Sequence, residues 1–379
     1  MRRSLLIAIV GTIGCGEGLP LVERIASVRP LALRVEIEDP TAMAGDPVAA
    51  EGLPLSTARM VPFFADPDGP MSTDEVAAEL EPVWIACNLT PVQGLFGCLG
   101  DARPLAVDEL VECPPVDPSA FDPSSGELPS TPSPCRIATD TPGEPEYTIP
   151  IDAAYLLGGD IELTMVAHDP SGASTDECLE DLLDDGSDPP PECIYAVQRI
   201  AVGPDGALVE LAEQLGVPSS ALPPAPDPVP DPDQHPRISA VRVTAFESKA
   251  QDAPMIGVFT PAEGEVLQIP WGARLELEIE APEDDLQTYV VPGDDGSFTD
   301  RTETYAGRWF RTWGDLLAPD SDDPVSRNTW TLRKGKQDET DVPDGGIATM
   351  IYVLRDDRQG VTWTWFQVEV EGMPPVGAG

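Results

Sequence analysis

IATMIYVLRDDRQGVTWTWFQVEV, residues 347–370, is the stretch that decides the fold. Ile347, Thr349, Ile351 and Val353 alternate with Ala348, Met350, Tyr352 and Leu354. Side chains on a strand alternate between its two faces, so this segment is apolar on both, as a central strand is. Residues 356–360, DDRQG, read as a short hairpin turn ending in glycine. The returning strand opens with Val361, Trp363 and Trp365 in phase, then shifts to Phe366, Val368 and Val370. A slip of one residue in the apolar phase predicts a β-bulge.

Outward from this hairpin the pattern stays extended. Leu275, Leu277 and Ile279 alternate with Arg274, Glu276, Glu278 and Glu280. No long helix is expected in residues 237–373, and a β-sandwich follows for that half. Earlier in the chain, Leu31, Leu33, Val35 and Ile37 alternate with Ala32, Arg34, Glu36 and Glu38, and Asp39-Pro40 ends the strand. Further strands are read at 83–87, 147–151, 161–167 and 194–202. Short helices are expected near 73–80, with Asp74 and Glu75 at the positive end, at about 176–183, and at 206–215, capped by Asp205. The fold class is therefore all-β in the main: two β-sandwich domains, the first (28–216) decorated with short helices and an insertion at about 99–145.

The insertion is rich in Pro, Ser and Asp and would be costly to leave free. The chain has seven cysteines, and setting Cys15 aside leaves six, an even set for an oxidising compartment. Local pairing is preferred: Cys87 with Cys98, Cys113 with Cys135, Cys178 with Cys193. Six cysteines nevertheless allow 15 connectivities. Residues 217–236, with their alternating prolines, form the clearest boundary and read as a polyproline II spacer. Asp227, Asp231 and Asp233 within it are weak candidates for Ca²⁺, although their spacing matches no known calcium loop; no other cofactor is expected.

The start of the chain carries an address. Met1-Arg2-Arg3 precedes an uncharged run, Ser4–Ile13. Ten helical residues reach ~15 Å, half of a ~30 Å hydrocarbon layer, so the run reads as an export signal, not a membrane span. No other run reaches the length of a spanning helix. Thr12-Ile13-Gly14-Cys15 resembles the lipobox of bacterial lipoproteins, departing from it at Thr12, where that family prefers Leu. The resemblance implies a signal peptide over 1–14, lipid attachment at Cys15, and a lipidated tether over 15–27. With its acidic, proline-rich, lysine-poor style, the chain is similar to surface lipoproteins of myxobacteria. Its second half resembles immunoglobulin-like modules of bacterial surface proteins, without a cysteine pair; a short tail is expected at 374–379.

Charge and motif content narrow the function. The net charge is −45, which repels phosphate backbones and excludes nucleic acid as a partner. His168 reads as a strand-end residue and His235 as a linker residue. There is no G-x-S-x-G, no H-E-x-x-H, no phosphate loop and no C-x-x-C, so no catalytic residue is assigned and a non-enzyme is expected. Six of the seven tryptophans follow residue 236. Most are expected in the core, but adjacent Trp309 and Phe310, with Trp313, form a possible ligand platform. The expectation is a lipid-anchored envelope protein that binds or scaffolds. It would meet the membrane through its lipid alone and an envelope protein or glycan through its body. The alternatives are a carbohydrate-binding or carbohydrate-acting protein and a calcium-rigidified adhesive spacer.

Overall fold

The computed structural model describes residues 22–38, 48–90, 97–116, 130–156, 158–184, 190–218, 222, 224–292, 297–321, 327–333 and 344–372. The predicted signal peptide, Cys15 and the tail at 374–379 lie outside the described residues.

The first half contains β1 (Arg29–Ile37), β2 (Glu51–Gly52), β3 (Thr57–Asp66), β4 (Gly69–Pro70), β5 (Val83–Leu89), β6 (Cys135–Arg136), β7 (Glu146–Thr148), β8 (Asp160–His168) and β9 (Cys193–Val202). The second contains β10 (Ala240–Phe246), β11 (Met255–Phe259), β12 (Val266–Pro270), β13 (Arg274–Glu280), β14 (Thr288–Pro292), β15 (Phe298–Thr302), β16 (Ala306–Arg311), β17 (Asp315–Leu316), β18 (Asp320–Ser321), β19 (Asn328–Thr331), β20 (Ile347–Arg355) and β21 (Val361–Glu371). Among the described residues, the five α-helices, α1 (Thr73–Glu75), α2 (Gly97–Ala102), α3 (Ala153–Leu156), α4 (Thr175–Leu183) and α5 (Asp205–Gln214), all belong to the first half, and the second has only short 3-10 turns. The all-β expectation holds.

Both halves are built to one recipe. In the first, β1–β3–β4, with β7 also on β3, faces a sheet ordered β2–β9–β8–β5–β6. In the second, β11–β10–β13–β19–β17 faces β12–β21–β20–β16–β18. In each, a short early strand crosses to the opposite sheet and pairs parallel with the last strand: β2 with β9, β12 with β21. Each half has its own core. Leu33, Val35, Met60 and Phe64 meet Trp84, Leu163 and Met165 in the first. Leu275, Leu277, Trp309, Trp330, Tyr352 and Phe366 fill the second.

The insertion and α4 make a further layer on the first half. Leu99, Leu110, Leu179 and Leu183 cover Val83, Ile85, Leu89 and Val166 on the outer face of the β5–β8 sheet. That is why β5 is buried on both faces, although only Val83, Ile85 and Cys87 announce it in sequence. The three disulfides are Cys87–Cys98, Cys113–Cys135 and Cys178–Cys193, with Cα separations of 5.9, 4.9 and 5.4 Å, and they match the local pairing preferred from spacing. Cys178–Cys193 ties α4 to the start of β9 across 15 residues. Replacing both cysteines with alanine is expected to cost about 3 kcal/mol, read from urea unfolding of the oxidised protein.

The two halves are stacked. The outer face of β1–β3 packs on the outer face of β16–β20–β21, burying Ile25, Leu31, Ala32, Phe63 and Ala65 against Phe310, Ile351, Val353 and Val361. Phe63 and Trp363 stack with centroids 4.7 Å apart and planes 6° from parallel. This seam explains several departures from the sequence reading. β21 pairs with β20 in unbroken register from Ile347↔Glu369 to Arg355↔Val361, so there is no bulge. The apolar phase changes because the covered face changes: Val361, Trp363 and Trp365 meet the first half, while Phe366, Val368 and Val370 enter their own core. Register shifts lie instead in β1, between Pro30 and Ala32, and in β10, between Ala245 and Phe246. The charged alternates of β1 also face the seam: Arg34 lies 4.5 Å over the Trp363 ring and pairs with Glu36.

Three further expectations are corrected. Residues 23–27 are not a free tether: Ile25 is buried, its N–H donates to Arg311 O, and Arg311 N–H donates to Glu23 O. Residues 232–235 do not space the halves but are stitched to both. Ala50 N–H donates to Asp233 O, His235 N–H to Val48 O, and Gln234 N–H to Gln287 Oε1. Asp205 does not cap α5; Pro204 occupies the cap and Asp205 is the first helical residue.

Candidate functional site

The β20–β21 turn positions the most unusual side-chain cluster among the described residues. Asp356 Oδ1 accepts from the backbone N–H groups of Arg358, Gln359 and Gly360 at 2.9, 3.0 and 2.8 Å, closing the turn as an Asx loop. Gly360 is required there. A Cβ would collide with Asp356 Oδ2 and come within 2.9 Å of Pro236 Cδ. The turn thereby aims Arg358 into the end of the seam.

Arg358 meets carboxylates from three other segments. Nη2 lies 2.9 Å from Glu51 on β2, and Nη1 lies 3.1 Å from Glu303, just past β15. Nη1 is also 3.8 Å from Asp233 on the connecting segment, and the guanidinium sits 5.1 Å over the Tyr289 ring. The Asp233 and Glu303 side chains are 1% and 2% exposed, so water screens these charges little. Neither carboxylate oxygen of Asp233 accepts a hydrogen bond, nor does Asp356 Oδ2.

The electrostatics follow from that crowding. Burial, then the Asp356 charge, push the Asp233 carboxyl up to about 8 against the pull of Arg358. Burial and the Glu303 charge raise Asp356 to about 6, although its turn hydrogen bonds oppose this. Burial also raises Glu51, with the charges of Asp205 and Asp160 adding to it, while the Asp233 N–H and Arg358 oppose the shift. His235 is pushed down to about 4 by burial, so it is neutral at pH 7. Its Nδ1 accepts from Val361 N–H at 3.0 Å, which leaves Nε2 as the protonated nitrogen, donating to Val35 O at 2.8 Å. His235 thus bridges β1 and β21 across the seam. The cluster gathers four carboxylates and one guanidinium at the end of the seam, with Asp233 and Glu303 its most deeply buried members.

The sequence singled out Asp233 and His235 but gave neither this setting. Asp233 faces Arg358, whereas Asp227 and Asp231 are exposed, so the three are not one ligand set. No group of three or more His, Cys, Asp or Glu that could hold a metal ion occurs among the described residues. Glu51, Glu303, Asp356 and Arg358 were missed, because no spacing signal joins positions so far apart in the chain. The aromatic platform is overturned: Trp309, Phe310 and Trp313 are 1%, 3% and 1% exposed. Trp309 and Phe310 do point to opposite faces, but the core covers one and the seam the other. His168 ends β8, with Nδ1 3.0 Å from Asp169 O. An open groove of about 690 Å³ between Leu105–Asp108 and α4 is lined by Leu105, Val107 and Leu183 with the carboxylates of Asp108 and Glu180.

The three disulfides belong to an oxidising, extracytoplasmic setting, and no helix among the described residues is long and apolar enough to cross a membrane. No family model matches the chain, and no curated protein matches it. Among solved structures, the chain is similar to dimeric latent PorU from Porphyromonas gingivalis at 11% identity and a TM-score of 0.18. The match covers 93% of this chain and 25% of that one, and a likeness so slight carries no argument.

Proposed function

We propose that this chain is an exported, lipid-anchored cell-envelope protein whose stacked β-sandwiches bind or scaffold rather than catalyse. One observation carries the reading. All six cysteines beyond Cys15 are consumed in disulfides within the folded body, which leaves Cys15 as the single thiol free for a lipid. We read both halves as immunoglobulin-like modules. Their shared strand order, with a short early strand crossing to pair parallel with the last, supports this. A stacked pair suits scaffolding, since a surface presented on one half keeps a fixed direction relative to the other. The sugar-binding alternative loses its named platform, and the calcium-spacer alternative loses its ligand set.

Metabolic labelling with a fatty-acid analogue tests the anchor. The wild-type chain is expected to take up label and partition with membranes, and Cys15→Ala to lose both. A wild-type chain that takes up no label, or an alanine variant labelled equally, contradicts the reading.

A further inference from the structure

We propose that the junction around Asp233 is a proton-operated latch: a proton held at the Asp233–Asp356 pair keeps the two halves closed on each other, and its loss loosens the seam. The geometry carries this. Asp233 is 1% exposed, and neither of its oxygens accepts a hydrogen bond. Asp356 Oδ2 also lacks a donor, so two electrostatically coupled carboxylates present buried oxygens with free lone pairs. Like charges in that position cannot both ionise cheaply, and a shared proton relieves them.

The surrounding charges leave the proton as the missing counter-charge. Glu51 faces the site from β2, Glu303 from the segment after β15, and Asp356 with Arg358 from the β20–β21 turn. Asp160 on β8 and Asp205 on α5 press on Glu51 from behind, and Arg199 on β9 is committed to Asp160 at 3.1 Å. On the β1 side, Arg34 and Glu36 face His235, which shares the segment with Asp233. One guanidinium at the centre therefore answers three carboxylates, Glu51, Asp233 and Glu303, and Asp356 adds a fourth negative charge beside them. The hydrogen bonds that would part on opening are known: Ala50 N–H to Asp233 O, His235 N–H to Val48 O, and Val361 N–H to His235 Nδ1.

The direction of the pH effect follows. In the closed state Asp233 keeps its proton to about pH 8, whereas an opened, solvated Asp233 gives it up near pH 4. Closure is thus favoured at lower pH and is lost as pH rises through 8. His235, held neutral in the closed state, opposes this only below its ordinary value near 6.5. Between pH 6.5 and 8 His235 does not contribute, and the coupled Asp233–Asp356 pair sets the dependence.

Amide hydrogen exchange on the full chain tests the proposal, corrected for the intrinsic base catalysis of exchange. The opening equilibrium read at Ala50, His235 and Val361 is expected to rise roughly tenfold from pH 6.5 to 8, while amides at the centre of β8 stay unchanged. Asp233→Asn, a neutral isostere, is expected to flatten the dependence and keep the seam closed. Asp356→Asn is expected to make the dependence level off at lower pH, because Asp233 then loses the charge that raises it in the closed state. Equal protection at the two pH values in the wild type, which needs no variant, overturns the latch. So does a pH dependence that survives Asp233→Asn, or one shared equally by β8.

Discussion

Arg358→Met is expected to lower the free energy of unfolding by about 3–5 kcal/mol, measured by urea denaturation at pH 8. The methionine fills much of the same volume but leaves Glu51, Glu303 and Asp233 buried without their cation. Removing one partner of a buried charge cluster costs more than the cluster's net contribution, because the remaining charges lose compensation they cannot regain from water. The loss is expected to shrink at pH 5, where Asp233 and Asp356 bind protons in the folded state. Arg358→Lys keeps the charge but not the fork that spans Glu51 and Glu303, and is expected to fall between the two. A loss below about 1 kcal/mol for Arg358→Met at pH 8 would mean the cluster is solvated and the junction open.

Phe63→Ala is expected to cost about 3–5 kcal/mol by the same measurement. Phe63 is 5% exposed, yet little of that burial comes from its own half's core. Its ring lies flat on Trp363 of the other half, and the Arg34 guanidinium also lies over that indole. Loss of the ring leaves a cavity in the seam, so the two halves are expected to unfold in separate steps where the wild type unfolds in one. A double-mutant cycle with Trp363→Ala is expected to give a coupling of about 0.5–1.5 kcal/mol, the range for a stacked pair. Additive losses would place the two rings out of contact.

The class of fold and the disulfides were legible in the sequence because they are local. Alternation within a strand and short spacings between cysteines depend on neighbours along the chain. The stacking of the halves is not local, and it was written in the sequence in a form easily misread. The change of phase at Trp365–Phe366 looks like a defect in one strand when only one buried face is imagined. With two buried faces it marks where the cover passes from one side to the other. The same holds for Trp309 and Phe310, and for Arg34 and Glu36, whose charges suit solvent yet pair within an interface. The proline-rich segment at 217–236 was read from composition as a spacer. Composition reports stiffness and does not report that Asp233 and His235 dock.

The candidate site was the least legible part. Its members come from positions 51, 233, 303, 356 and 358, and 67 acidic residues offer many equally plausible sets. What distinguishes these few is burial and the lack of donors, and both are properties of the packed seam.

The two halves form one stacked body. Spin labels at exposed Thr141 in the first half and Lys249 in the second, with the distance between them measured by pulsed dipolar spectroscopy, test it most directly. A single narrow distance distribution at pH 6.5 is the predicted result. A broad distribution, of the kind a flexible connection gives, would contradict it.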